Sequence, residues 1–137
     1  YLKKFTMDNK TNKILAEISA GELIDKITIL EIKKEKINDI DKIKSVEKEL
    51  VSLNNTLKKS ISNYSNIESL AIKLKTINLK LWDIENGKRL AEKNMDFGEK
   101  FIQLARNVYK ENDERSKIKL QINKILCSNV REVKSHY

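Results

Sequence analysis

The sequence predicts an all-α protein, an elongated antiparallel helical hairpin or bundle of about four helices with coiled-coil-like seams. Three observations carry this. The 137 residues contain no proline and only three glycines, so little in the chain stops a helix. Apolar residues recur at steps of three and four over long stretches, the spacing that lines one face of a helix. Ser or Asp followed three residues later by Glu stands before several of those stretches, which is the signature of a helix start. At the usual domain size this length makes one domain, placed at 13–137. Residues 1–12 carry neither helical nor strand periodicity and are expected to be a remnant, a processed end or a mobile arm.

Lys13 to Ile18 alternates apolar and polar residues, a short segment that can be extended. Ser19-Ala20-Gly21-Glu22 then forms a capping box. Ser19 is placed to accept from the amide near Glu22, Glu22 to reach back to the Ser19 amide, and Ile18 and Leu23 to form the hydrophobic staple. Helix one runs on through Leu23, Ile24, Ile27 and Leu30 and breaks between Asn38 and Asp41. Helix two carries Ile43, Val46, Leu50, Leu53, Leu57 and Ile61, the clearest seam in the chain. After a polar turn at Ser60 to Asn63, Ser65 and Glu68 form a second capping box. Helix three follows with Leu70, Leu74, Ile77, Leu81 and Ile84. Asp96 as N-cap with Glu99 opens helix four, which carries Phe101, Leu104, Val108, Ile122 and Ile125. Short turns between helices two, three and four make neighbours antiparallel.

Composition narrows the function. The net charge is +8, from 28 basic and 20 acidic residues, but 24 of the basic ones are Lys and the excess is spread along the chain. Lys-rich surfaces such as Lys33, Lys34 and Lys36 therefore read as a solvated helical surface rather than a nucleic-acid interface, which would interleave Arg and exposed aromatics. No apolar run approaches the roughly 20 residues a bilayer needs, so no membrane association is expected and the protein reads as soluble and cytoplasmic. One cysteine, Cys127, and one histidine, His136 beside the end of the chain, argue against a disulfide, zinc chemistry and Cys-His catalysis. No cofactor is expected.

Candidate functional residues lie where the apolar pattern is interrupted. On a helical wheel Asn112, Arg115 and Lys119 fall within the stripe of Leu104, Val108 and Ile122. A buried cation needs a carboxylate, water or an anionic ligand. Centring helix one on Ile27 puts Glu31 on the face with Leu23 and Leu30, and makes Glu31 the natural partner of Arg115 or Lys119. Two readings stay open. Glu111 to Arg115 is a polar turn between two shorter helices, or the helix is continuous and a polar cluster forms from Glu31, Tyr109, Asn112, Arg115 and Lys119 with Arg106 and Asp113 beside it. Such a cluster is a salt-bridge network or a site for an anion. Glu22 and Asp25, one turn apart on the side of helix one opposite Ile27, are weak candidates for a metal pair, since only one such element is present. Helix three has a second apolar ridge, Ile72, Leu79 and Leu90, with Trp82 close to it, and Ile29 and Ile32 repeat this on helix one. A helix apolar on two sides is central in its bundle or shared with another chain, and a homodimer is expected.

Two stretches, S-A-G-E-L-I-D-K from Ser19 and D-F-G-E-K-F-I-Q-L-A-R-N-V-Y-K-E-N-D-E-R from Asp96, resemble a family of small uncharacterised bacterial proteins classed as a domain of unknown function. The resemblance covers nearly everything from Lys13 onward. It implies a stand-alone helical protein with no established reaction, and some relatives are associated with surface-polysaccharide genes. The family's recurring charged and aromatic positions correspond to Glu22, Asp25, Lys26, Trp82, Asp96, Phe97, Arg106, Tyr109, Asn112, Asp113 and Arg115. Gly87 departs from the helix former expected there, which puts the continuity of helix three in doubt. The leading expectation is a non-enzymatic interaction or scaffold protein that self-associates or engages another protein. The alternative is a small enzyme or binder of a phosphate-bearing or sugar-nucleotide anion, acting through the polar cluster on the last helix.

Overall fold

Ser19 begins the ordered architecture because its side chain takes over a helix-end amide. Its hydroxyl accepts from the Glu22 amide at 3.1 Å, and helix α1 (Ala20–Lys36) follows. Asp39 caps α2 (Ile40–Ser60) in the same way, its carboxylate accepting from the amides of Asp41 and Lys42. A short 3₁₀ turn (Tyr64–Asn66) leads into α3 (Glu68–Lys93), and α4 (Glu99–Ile125) completes the fold. This is a computed structural model, which describes residues 10–136; the expectation for residues 1–12 therefore lies mostly outside the described residues. Among the described residues every regular element is helical.

Several expected helix starts move. Ser65 does not cap α3; it lies in the 3₁₀ turn, and Ile67 occupies the cap position without a side-chain hydrogen bond. Asp96 sits two residues ahead of the α4 cap, Gly98, and accepts from the Gly98 amide at 3.3 Å. At α1 only half of the capping box forms, because Glu22 turns to cations instead, and Ile18 stays exposed. Residues 10–18 are irregular, with no strand at Lys13 to Ile18. Gly87 does not interrupt α3. A Cβ there would stand 3.2 Å from a methyl of Leu104, so the glycine is explained by the close approach of α3 and α4. Likewise Glu111 to Arg115 is helix, not turn, since α4 runs unbroken through it.

The helices run up, down, up, down, and α1 is the central one, packed on α2, α3 and α4, while α2 rests mainly on α1. Both sides of α1 are therefore buried. One carries Leu23, Ile27 and Leu30 and is left for α2; the other carries Gly21, Ile24, Asp25, Thr28 and Ile32 toward α3 and α4. Its two-sidedness is absorbed within the chain. Ile24, Ile67, Ala71, Leu74, Ile77, Ile118 and Ile122 make the core, with Ile67, Leu74 and Ile122 wholly buried.

The lengths are unequal, and this shapes the molecule. α1 has 17 residues, whereas α3 and α4 have 26 and 27, or about 39 and 40 Å at 1.5 Å per residue. Beyond Asn78 no residue of α3 is fully buried, and none of α4 before Ile118. The distal halves of these two helices form a two-helix arm projecting from a four-helix base. At its tip Phe97 packs edge to face on Phe101, ring centres 5.5 Å apart.

Candidate functional site

The polar residues that interrupt α4 meet the face of α1 that bears Asp25, not the face that bears Glu31. Asp25 is wholly buried. Its Oδ1 accepts from Arg115 Nε at 2.9 Å and from Asn78 Nδ2 at 2.9 Å, and its Oδ2 accepts from Arg115 Nη2. Asn78 Nδ2 also donates to Thr28 Oγ1 at 2.9 Å, and Thr28 donates to the Asp25 carbonyl at 2.8 Å. A buried carboxylate is thus held by a two-pronged guanidinium and an amide, the arrangement that makes burial of charge tolerable. The hydrogen bond to Asp25 raises the Arg115 pKa against the opposing effect of burial, so the cation is retained at every ordinary pH.

One turn away, Lys119 Nζ donates to Glu22 Oε2 at 2.5 Å and stands 4.0 Å from Asp25 Oδ2, while Lys26 approaches Glu22 at 3.7 Å. Glu22 and Asp25 therefore hold cationic side chains. The metal-pair reading of these two carboxylates does not fit that use of their oxygens. Among the described residues no group of three or more His, Cys, Asp or Glu side chains stands close enough to hold a metal ion.

Above this network the start of α1 is sealed by the end of α4 and the segment that follows. The Gly21 amide donates to Asn123 Oδ1 at 2.6 Å, and the Ala20 amide donates to Ser128 Oγ at 3.1 Å. Ser19 donates to Glu132 at 2.6 Å, and Asn123 donates to the same carboxylate at 3.3 Å. Burial pushes the Glu132 pKa up, but Ser19, a backbone amide, Lys119 and Asn123 together hold it below the usual carboxylate value. The contact demands a glycine. A Cβ on Gly21 would stand 2.5 Å from the Lys119 carbonyl oxygen and 2.9 Å from Asn123 Oδ1.

Of the expected site residues, the structure brings Arg115, Lys119 and Asn112 together. Asn112 Oδ1 accepts from Arg115 Nη1 at 3.4 Å. Asp113 lies outside the network and pairs with Lys134 at 2.8 Å, whose hydrogen bond holds its carboxyl below the usual range. Arg106 and Tyr109 are exposed on the arm side and do not join. Glu31 is not the partner of Arg115 or Lys119. It sits near Tyr64, whose phenol is pushed up first by burial and then by Glu31 and Glu68. The reason is angular: Glu31 lies about a third of a turn round α1 from Asp25, toward the side that carries Ile27 and Leu30. Sequence reasoning missed Asn78, although it stands four residues from Leu74 on the buried stripe of α3, the same kind of interruption that marked Arg115.

Two hollows flank Arg115. An open groove of about 820 Å³ lies between α4 and residues 132–136, lined among others by Asn112, Ser116, Lys117 and Lys119. A smaller slot of about 270 Å³ lies on the other side, between α1 and α3, lined by Ile29, Ile32, Asn78, Leu81, Trp82, Glu85, Arg89 and Arg115.

A family model matches residues 14–137, nearly the whole of this helical unit, and its description is a family of unknown function, DUF6165. The chain belongs to that family. No curated protein and no solved structure matches this DUF6165 member. No helix among the described residues is long and apolar enough to cross a membrane.

Proposed function

We propose that the chain is a non-enzymatic helical interaction protein that self-associates through its arm. The observation that carries this is the apolar surface left open there: Leu90, Met95, Phe97 and Ile102 are 59%, 78%, 48% and 47% exposed. Large exposed apolar side chains gathered at one end of a molecule favour a contact surface there. The occupant is a second copy because the charge permits it. Residues 83–106 contain five basic and five acidic residues, so two arms meet without net repulsion, while the whole +8 excess lies elsewhere. The base supports the same reading from the other side, since the charges of the Asp25 network are matched internally.

Sedimentation velocity tests it. The protein is expected to be a dimer at about 10 µM, and Phe97→Asp with Ile102→Asp is expected to make it a monomer that keeps its helical circular dichroism, with a melting temperature that no longer depends on protein concentration. A wild-type monomer at about 100 µM overturns the reading.

A second reading, binding of a phosphate-bearing anion, is favoured by the groove, whose lining has Arg115, Lys117, Lys119 and Lys134 against Asp113 and Glu132. A thermal-shift screen with nucleotides, sugar nucleotides and phosphorylated sugars tests it. A ligand at 100 times its Kd adds about 2.7 kcal/mol, and the shift is expected to fall in Lys117→Gln.

A further inference from the structure

The slot on the α1–α3 side of Arg115 has features that neither the bundle nor the arm explains. Its walls are Ile29, Ile32, Leu81 and the flank of Trp82, so its body is apolar. At one end stands Asn78, more than nine-tenths buried. Both hydrogens of its amide nitrogen are engaged, one by Asp25 and one by Thr28, which fixes the orientation of the group. Its carbonyl oxygen accepts no hydrogen bond from any described residue, and Asn78 lines the slot. Among the described residues no fully buried side-chain nitrogen or oxygen lacks a partner, so this oxygen is the part of Asn78 that reaches the surface, where a ligand donor can meet it. Further along α3 the lining holds Glu85 and Arg89. Glu85 is bound to Lys88 at 3.3 Å, which offsets its charge, whereas Arg89 has no ion-pair partner among the described residues. Arg115 adds a second guanidinium to the lining, already neutralised by Asp25.

We propose that this slot binds a small aromatic carboxylate that carries a hydroxyl or amine donor at the end opposite its carboxylate. The donor meets Asn78 Oδ1, the ring lies along Trp82 and Leu81, and the carboxylate meets Arg89. The spacing sets the length of the molecule. Asn78 and Arg89 are eleven residues apart, about 16 Å of helix rise; both side chains lean toward the helix start, the arginine by more, which leaves a gap of roughly 13 to 14 Å, or about 8 Å of ligand with a contact of about 3 Å at each end. That is the reach of one ring with a two-carbon spacer. The slot, at about 270 Å³, is at the lower edge of the range for small-molecule sites, so a larger ligand such as a nucleotide does not fit it. The proposal is independent of self-association through the arm.

Trp82 is the single tryptophan of the chain, so its fluorescence reports on this slot alone. The probe is 3-(4-hydroxyphenyl)propanoate, titrated into the full chain with excitation at the red edge of the tryptophan band. A saturable change is expected. Two comparison compounds separate the contacts: 3-phenylpropanoate lacks the donor, and 2-(4-hydroxyphenyl)ethanol lacks the charge. Each is expected to bind at least about tenfold more weakly, one good hydrogen bond or charge contact. Arg89→Gln, at an exposed position outside the buried network, is expected to keep the helical circular dichroism and melting temperature and to weaken the acid about tenfold, leaving the neutral compound unchanged. A flat titration to about 10 mM overturns the proposal. So does equal binding of all three compounds, or an acid titration that Arg89→Gln leaves as it was.

Discussion

The base and the arm share α3 and α4, yet the two halves of those helices bring them together by different means, and one glycine in each shows how. In the base, Gly21 lets the start of α1 press against the backbone of α4, and a Cβ would meet the Lys119 carbonyl oxygen at 2.5 Å. In the arm, Gly87 faces only the end of the Leu104 side chain, at 3.2 Å. Backbone cannot move aside without parting the helices, whereas a leucine methyl can rotate away. The base is a locked unit with a buried, matched charge network. The arm is a simple hairpin whose outer surface is still open.

The largest effect that sharpens this contrast is expected at Arg115. Arg115→Ala leaves the Asp25 carboxylate buried with Asn78 as its side-chain donor and Lys119 4.0 Å away, and chemical denaturation is expected to show a loss of about 3 to 5 kcal/mol. An unchanged stability breaks the idea that the base is held by this pair. Next, Gly21→Ala forces α1 and α4 apart and is expected to cost about 1 to 3 kcal/mol by the same measurement.

A smaller effect is expected from pH. The Glu132 pKa is lowered in the fold, so its contribution is present above the unfolded carboxylate pKa and is lost as pH falls through the lower folded value. The protection factors of the Ala20 and Gly21 amides are expected to fall across that acid window in the wild type and to be already low in Glu132→Ala. The smallest effect belongs to the arm. Gly87→Ala is expected to be neutral, or to stabilise by up to about 1 kcal/mol, because helix propensity improves and Leu104 gives way. A loss as large as that of Gly21→Ala erases the distinction between the two halves.

Much of the architecture is legible in the chain. The steps of three and four in Val46 to Leu57 and in Leu70 to Leu81, the absence of proline, and the Ser19 cap all act locally, over one or two turns. The exact helix starts at Ser65 and Asp96 are less legible, because several polar residues near each turn compete for the same amides. The interruption of the α4 stripe by Asn112, Arg115 and Lys119 is legible too, and these side chains meet the α1 carboxylates or one another, whereas Glu31 and Tyr109 stay apart from them. The α1 partner of Arg115 is not legible in the same way. Glu31 and Asp25 both lie on α1, about a third of a turn apart, and an apolar residue on either side of that helix is compatible with packing on α4.

The sequence by itself therefore determined that this protein is a set of long amphipathic helices, since periodicity and capping depend on neighbours a turn away. Only the tertiary structure decided that α1 is the central helix, that Asp25 rather than Glu31 receives Arg115, and that Asn78 donates to Asp25 beside an apolar slot. Those outcomes depend on which helix covers which face, and that is set by the packing of residues about 50 to 100 positions apart, where no local spacing carries the information.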